Sequence, residues 1–79
     1  MKEIGKVTHY FDKIGVAIIE LKSDLKVGDT VTIGGKEEFE QEIISMQVDH
    51  KDVESAKKGD VIGVKVDKIA HEGAKVSQK

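Results

Sequence analysis

Residues 25–35 read LKVGDTVTIGG, and this stretch constrains the fold more than any other part of the chain. A Gly-Asp turn leads into four residues that alternate polar and apolar, and a Gly-Gly pair follows them. Alternation over a few residues between glycines is typical of a half-buried β-strand. It predicts that Val31 and Ile33 face a core, while Thr30 and Thr32 face water.

The length of 79 residues allows one domain, which we assign to residues 1–79. The chain contains no cysteine, so disulfides and thiolate metal sites are excluded. It also lacks a signal-peptide pattern and the run of roughly 20 apolar residues that a membrane helix needs. We therefore expect a cytoplasmic domain with no cofactor and no membrane contact. The sequence gives no indication of the oligomeric state.

Five further segments have strand-like patterns, and they lie at residues 3–11, 13–21, 37–50, 61–67 and 74–77. Six strands joined by glycine-containing turns favour an all-β fold, specifically a small closed six-stranded antiparallel barrel, because an open sheet of this size would expose its edges. A single helical turn is predicted at residues 53–57, ended by Gly59.

The inward faces of these strands follow from their periodicity. In the first strand Val7, His9 and Phe11 share one face. In the long strand at residues 37–50, which we expect to bend near Gln41 and Glu42, the shared face is Ile44, Met46 and Val48. In the strand at residues 61–67 it is Ile62, Val64 and Val66. The strand at residues 13–21 is apolar on both faces, which indicates that something covers it on both sides.

Charge and aromatic content argue against an autonomous, high-affinity nucleic-acid binder. Charged residues make up 35% of the chain, the net charge is −2, and all thirteen basic residues are lysines. Arginine supplies the bidentate contacts to guanine and phosphate that lysine cannot copy. Three aromatic residues are also too few for a platform that stacks several bases.

The segment at residues 49–60 contains two clusters of polar residues that could bind a ligand. His50 with Asp49 and Asp52 could supply nitrogen and oxygen ligands to a metal, but a solvated acidic loop explains the same pattern better. Lys57 and Lys58, with Lys51 nearby in sequence, could hold a phosphate together with backbone N–H groups, although lysines at a turn are usually solubilising. We assign no metal ligand and no catalytic residue, and expect a protein that is not an enzyme.

The order of elements resembles a known family. The segments LKVGDTVTIGG and IISMQVDHKDVESAKKGDVIGVKV are similar to the second domain of the translational GTPases, above all elongation factor Tu, and AKKGDVIGV matches its return strand closely. The opening GKVTHYFDKIGVAIIEL matches the first hairpin of that domain, and its HYFDKIGVA wording also looks like the C-terminal domain of the collagenase-like peptidase family. Short free-standing elongation factor-like proteins of this type are the closest overall fit. The resemblance implies a closed six-stranded Greek-key barrel of the translation-protein domain 2 type.

The elongation-factor resemblance further implies contacts with the 3′ end of transfer RNA from the end of the long strand and the start of the return strand. Carried over to this chain, those positions are Gln47, Val48, Asp49, His50 and Asp60. The chain departs from the family pattern where an aromatic–arginine pair is replaced by Asp49 and His50, and it has no GTP-binding domain.

Two functions follow. The first is a non-catalytic barrel that works in translation or RNA modification, through RNA or a ribosome- or tRNA-associated protein. Its candidate contacts are Gln47, Val48, Asp49, His50, Lys51, Lys57, Lys58 and Asp60. The alternative is a protein–protein adaptor or accessory subunit that docks on an enzyme without touching RNA. Its surface would be the apolar outer face of the second strand, where Val16, Ile18 or Ile19 is left over.

Overall fold

The computed structural model describes residues 2–34, 38–49 and 51–78, and this part of the chain is all β with no helix. Its ten strands are β1 (Lys2–Phe11), β2 (Val16–Leu21), β3 (Leu25–Lys26), β4 (Thr30–Ile33), β5 (Phe39–Glu42), β6 (Met46–Val48), β7 (Lys51–Val53), β8 (Ser55–Ala56), β9 (Val61–Lys65) and β10 (Lys75–Gln78). The predicted helical turn at residues 53–57 is wrong. Those residues contain β8, where Ala56 pairs with Leu25 and both side chains are buried.

The fold is an antiparallel half-barrel rather than a closed six-stranded barrel. Eight strands form one sheet in the order β5-β4-β10-β1-β2-β9-β6-β7, and β3 pairs with β8 in a separate two-stranded ribbon. Within the described residues β5 and β7 each pair with one neighbour and not with each other, so the sheet has two edges. The prediction of full closure failed because the predicted long strand at residues 37–50 is broken into β5 and β6, which lie towards opposite ends of the sheet.

A side chain bridges part of the gap that the strands leave open. Gln41 on the edge strand β5 is buried, its Nε2 donates to the carbonyl oxygen of Lys65, and its Oε1 accepts from the backbone N–H of Asp67 at 2.9 Å. These two bonds attach β5 to the end of β9. Because the amide satisfies both backbone groups, a polar side chain is tolerated inside this small core.

The core is one cluster of aliphatic side chains drawn from both sheets. The predicted inward residues Val31, Ile33, Ile62, Val64 and Val66 are all buried, which confirms the inward positions predicted for these two strands. The remaining buried apolar residues are Ile4, Val7, Ala17, Ile19, Leu21, Leu25, Ile43, Met46, Ala56, Ala70, Ala74 and Val76.

Two strands depart from strict alternation. A register shift in the β1–β2 pairing between Val7 and His9 moves His9 and Phe11 to the outside, whereas Tyr10 packs against the core. The predicted common face of the first strand therefore ends at Val7. A β-bulge has this effect because one extra residue reverses the side-chain alternation beyond it.

Residues 43–45 lie outside the sheet ladder between β5 and β6. Ile43 is buried there and Ile44 is 66% exposed, so the predicted common face with Met46 and Val48 begins only at Met46. The bend expected near Gln41 and Glu42 comes one residue later.

Thr32 also differs from its predicted exposure, since only 8% of it is accessible. It pairs with Glu40 of β5 on one side and with Ser77 of β10 on the other. Side chains on both neighbouring strands shield a residue in a central strand even on the outer face, and the sequence of one strand does not show which strands flank it.

Candidate docking surface

Two Gly-Asp turns have the same geometry. In the first, at residues 26–29, the backbone N–H of Lys26 donates to Asp29 Oδ2 at 3.1 Å, and the N–H of Asp29 donates back to the carbonyl oxygen of Lys26 at 3.1 Å. In the second, at residues 57–60, the corresponding Lys57–Asp60 distances are both 2.9 Å. The glycines have φ of +100° and +93°, a region that favours glycine because it has no Cβ.

Each turn also holds a buried residue of another segment in the same way. The N–H of Gly28 donates to the carbonyl of Ile43, and the N–H of Ile43 donates to the carbonyl of Asp29, both at 2.8 Å. The N–H of Gly59 donates to Leu21 at 3.0 Å, and the N–H of Leu21 donates to the carbonyl of the second turn's aspartate at 2.9 Å. The two turns also flank the β3–β8 ribbon.

These matching bonds relate two parts of the half-barrel by an approximate internal symmetry. LKVGDTVTI at residues 25–33 corresponds to AKKGDVIGV at residues 56–64. The pairing of β4 with β5 has the same register as the pairing of β9 with β2. Val31 lies opposite Gln41 in the first pair, and Ile62 lies opposite Ile19 in the second, so Gln41 is equivalent to Ile19. Equivalent positions therefore share one register and one turn geometry, although β2 is flanked by strands on both sides and β5 is an edge.

The outer side of β2 and β9 is apolar at Val16, Ile18 and Val61, and the exposed charged residues Glu20 and Lys65 lie at its two ends. We define the apolar wall as Phe11, Ile14, Val16, Ile18 and Val61. Phe11 is 44%, Ile14 61% and Val61 52% exposed, while the other two members are half-buried. Together with Gln47, Asp49, Ile62 and Gly63, they line one open groove of about 360 Å³. The predicted surplus residue Ile19 is not part of it, because its side chain is fully buried in the core.

The equivalent outer side of β5 and β4 is polar. Ile18, which pairs with Gly63, corresponds to Glu40, which pairs with Thr32. Val61 corresponds to Thr30 in the same register. The scaffold therefore folds with polar residues at these positions, and the exposed aliphatic side chains of the apolar wall are not required by the barrel itself. Exposed apolar clusters of this kind mark interaction surfaces.

His9 lies next to this wall. Its ring meets the Phe11 ring edge-on at a centroid distance of 4.5 Å, and its Nδ1 lies 2.8 Å from Glu72 Oε2. The contact joins the end of β1 to the loop before β10. It fixes the Phe11 ring at one border of the apolar wall.

The structure separates the contact residues that the sequence predicts. Gln47 and Asp49 border the groove, and Asp49 has a φ of +54°, which is uncommon for a residue other than glycine. Val48 packs against the core, and Lys51 is exposed on β7. His50 lies outside the described residues. Sequence reasoning missed Phe11, Ile14 and Val61 as surface residues, although the surplus of apolar residues at 13–21 was a signal for such a face.

At the turn of Lys57 and Lys58, the backbone N–H groups that a phosphate could use already donate to carboxylates. The N–H of Lys57 donates to Asp60 Oδ2 at 2.9 Å, and the N–H of Lys58 donates to Asp24 Oδ1 at 3.3 Å. Two carboxylates therefore occupy the positions that phosphate oxygens would take. Asp60 has a structural role, because it closes the turn that precedes β9.

The described part of the chain has neither a metal-binding cluster nor a membrane-spanning helix. It brings together no group of three or more His, Cys, Asp or Glu side chains that could hold a metal ion. None of its residues belongs to a helix with the length and apolar character needed to cross a membrane.

Comparison with known proteins finds similarity to a curated protease and to crystal structures of a peptidase domain. No family model matches the chain. An uncharacterized protease of Methanocaldococcus jannaschii is 50% identical over 76 residues, which cover 94% of this chain and 19% of that protein. The chain thus spans about a fifth of the length of this curated relative.

Two crystal structures of the C-terminal domain of a putative U32 peptidase from Geobacillus thermoleovorans, one of them the selenomethionine variant, have the same fold. Their TM-scores are 0.93 and 0.92 at 20% identity, and they cover 98% and 99% of this chain and 99% and 92% of their own. The resemblance to a collagenase-like peptidase C-terminal domain agrees with these structures. The elongation-factor resemblance and the role in translation draw no support from them.

Proposed function

We propose that this chain is a non-catalytic accessory domain of a peptidase-family protein, and that its apolar wall docks on the remaining, larger part of that protein. One observation carries the proposal: the wall is apolar where the symmetry-equivalent wall of the same fold is polar. Since the fold tolerates Glu40 and Thr30, it does not require Ile18 and Val61 at the equivalent positions. A partner that covers these two side chains and removes them from water would require them to be apolar.

The size of the curated relative supports this partner. Most of that protease, which this chain matches over 19% of its length, lies outside the matched segment. A barrel of this size, joined to a much larger body, can bury an exposed wall against it. Burial of such apolar area contributes about 25 cal/mol per Å², so a few aliphatic side chains suffice to hold two regions together.

The polar side chains that are buried in the described core fit a non-catalytic role. Among the described residues the buried polar side chains are Thr32 and Gln41, and neither is titratable. General acid–base work usually depends on a carboxyl, histidine or lysine whose pKa is tuned by burial or by a close charge. The one described ion pair between a lysine and a carboxylate, Lys22–Glu3, lies on the surface.

Of the predicted contact residues, we retain Gln47 and Asp49 as the polar rim of the docking surface. An RNA contact through Lys57 and Lys58 is less favoured, because carboxylates already accept the backbone N–H groups there. The acidic rim at Asp49 would also repel phosphate.

The test uses a chimera in which the matching segment of the M. jannaschii protease is replaced by this chain. Diazirine-based carbene footprinting, read by mass spectrometry, labels exposed side chains in the chimera and in the isolated chain. We expect Phe11, Ile14 and Val61 to lose labelling in the chimera. Ile44 and Ile69, which are 66% and 61% exposed and lie outside the wall, should retain it.

A matched pair of variants sharpens the test. Ile14 and Ile69 are the same residue type with the same exposed fraction, 61%. In the chimera, Ile14→Ser should restore the labelling of Phe11 and Val61, whereas Ile69→Ser should leave both protected. Unchanged labelling of the wall in the unmodified chimera, or protection confined to Ile44 and Ile69, would refute docking through this wall.

A further inference from the structure

Gly63 lies in the middle of β9 and faces outward at the centre of the apolar wall. It pairs with Ile18 of β2 on one side and with Gln47 of β6 on the other. Its neighbours Ile62 and Val64 point inward and are fully buried. A glycine in the interior of a central strand weakens the strand, so its presence calls for a reason.

Neither backbone conformation nor packing supplies that reason. The φ of Gly63 is not in the positive region, and a Cβ built there would lie 3.5 Å from Val16 Cγ1 and 3.6 Å from Ile18 Cδ1, which is ordinary contact. Gly5 is different, because a Cβ there would lie 2.8 Å from the carbonyl oxygen of Glu20. The position equivalent to Gly63 in the other part of the barrel is Thr32, which carries a branched side chain.

The missing side chain makes a hollow. Gly63 lines the groove with Val16, Ile18 and Val61 on its apolar side and with Gln47 and Asp49 on its polar side. Glycine in a strand commonly marks a place where another group approaches the backbone closely. The hollow is lined by aliphatic carbon on one side, so it fits a compact apolar side chain.

We infer that the hollow above Gly63 is the specificity-determining notch of the docking surface, and that it receives one compact apolar side chain from the larger part of the peptidase-family protein. This inference rests on the proposed docking function. It adds that steric access to the glycine backbone, and not apolar area alone, decides whether docking occurs. A residue that fills the notch would keep the wall apolar and still prevent the fit.

The test places Gly63→Ala and Gly63→Thr in the same chimera and in the isolated chain. Gly63→Thr introduces the side chain that the equivalent position already carries. We expect the melting temperature of the isolated chain to stay the same or rise, because the added Cβ makes ordinary contacts and glycine weakens a strand interior. In the chimera, labelling of Phe11 and Val61 should return to the level of the isolated chain, fully for Thr and in part for Ala.

Ser55→Thr is the matched control, because it adds one methyl group on β8, outside the wall, and should leave the wall protected. If Gly63→Thr leaves Phe11 and Val61 protected while its melting temperature is maintained, the notch is overturned and docking through the wall stands. If the unmodified chimera shows no protection, both proposals fail. A fall in the melting temperature of both Gly63 variants would also overturn the inference, since it would show that the fold itself requires this glycine.

Discussion

The strand pairs β2–β9 and β5–β4 occupy equivalent places in one half-barrel, and the same turn hydrogen bonds build both. The inward residues of β9 and β4 are alike, since Ile62 and Val31 fill the core from corresponding positions. The outward residues of the two strand pairs are not, since Ile18 corresponds to Glu40. The inward residues that both pairs share are those that the core of the fold requires. The outward apolar residues occur in one pair only, and we attribute them to a partner.

The difference extends to how each pair is held in place. Ile19 in β2 packs as an apolar core residue, while the equivalent Gln41 in β5 makes two hydrogen bonds to the end of β9. β2 is flanked by strands on both sides, whereas β5 is an edge. An edge strand lacks one row of backbone bonds, and the amide of Gln41 supplies bonds on that side.

The largest effect is expected at this side-chain bridge. Gln41→Leu keeps the approximate side-chain volume. It removes the amide nitrogen that donates to the Lys65 carbonyl and the amide oxygen that accepts from the Asp67 N–H. Each such hydrogen bond contributes about 0.5–1.5 kcal/mol, so the loss of both should lower the free energy of unfolding by about 1–3 kcal/mol in a urea titration. Gln47→Leu, an exposed amide on β6, is the control and should change stability by about 0.5 kcal/mol or less. Equal losses in the two variants would show that Gln41 does not hold the edge strand.

A smaller effect should distinguish the two Gly-Asp turns. Asp29 Oδ2 accepts from Lys26 N–H and also from Gln78 Nε2 at 3.2 Å, whereas the described bond to Asp60 Oδ2 comes from Lys57 N–H. Each such bond contributes about 0.5–1.5 kcal/mol. Asp29→Ala should therefore destabilise the protein more than Asp60→Ala in thermal unfolding.

Gln78→Ala provides the internal control for the comparison of turns. In that background the two aspartate substitutions should have similar costs, because the extra bond of the first turn is already absent. A difference that persists after Gln78→Ala would mean that the turns are not energetically equivalent for another reason.

The smallest effect concerns Lys22, which follows Leu21 and thus occupies the place of Ile44 in the other part of the barrel. Its hydrogen bond to Glu3, with Nζ 2.8 Å from Oε2, and the attraction between the two charges lower the pKa of Glu3 below its usual value near 4.5. The same contacts raise the pKa of Lys22 above its usual value near 10.5.

The direction of each pKa shift gives a pH dependence. The folded state holds the Glu3 carboxyl ionised to lower pH than the unfolded state does, so this contribution is complete above about pH 4.5 and is lost as the pH falls through the lowered pKa. The contribution of Lys22 is complete below about pH 10.5 and is lost as the pH rises through its raised pKa. An NMR titration of the Glu3 carboxyl should give a higher midpoint in Lys22→Met; an unchanged midpoint would contradict the pairing.

Local patterns predicted much of the fold. The alternation at residues 30–33 and 61–66 identified the buried apolar residues correctly, although Thr32, which was predicted to face water, is buried as well. Prediction failed where one residue changed the register. The irregularity between Val7 and His9 turned Phe11 outward, and residues 43–45 turned Ile44 outward. Both changes depend on how a strand pairs with its neighbours, and this information is not local.

The candidate site shows the same limit. The double-faced apolar pattern at residues 13–21 predicted a covered outer face, and Val16 and Ile18 are members of it. Phe11 and Val61 join that face only because β1 and β9 flank β2. Lys57 and Lys58 looked like phosphate ligands in the sequence, and only the structure shows that Asp60 and Asp24 accept their N–H groups.

The sequence by itself determined that this chain is all β, that β4 and β9 begin after Gly-Asp turns, and which aliphatic residues of these two strands fill the core. These properties arise from residue periodicity and from the backbone freedom of glycine, which act over a few residues. The tertiary structure decided that the barrel stays open, that Gln41 bridges its edge, and that Gly63 lies at the centre of an apolar wall. Such features depend on strand order, since pairing brings together residues that are far apart in the chain and sets which side chains remain uncovered.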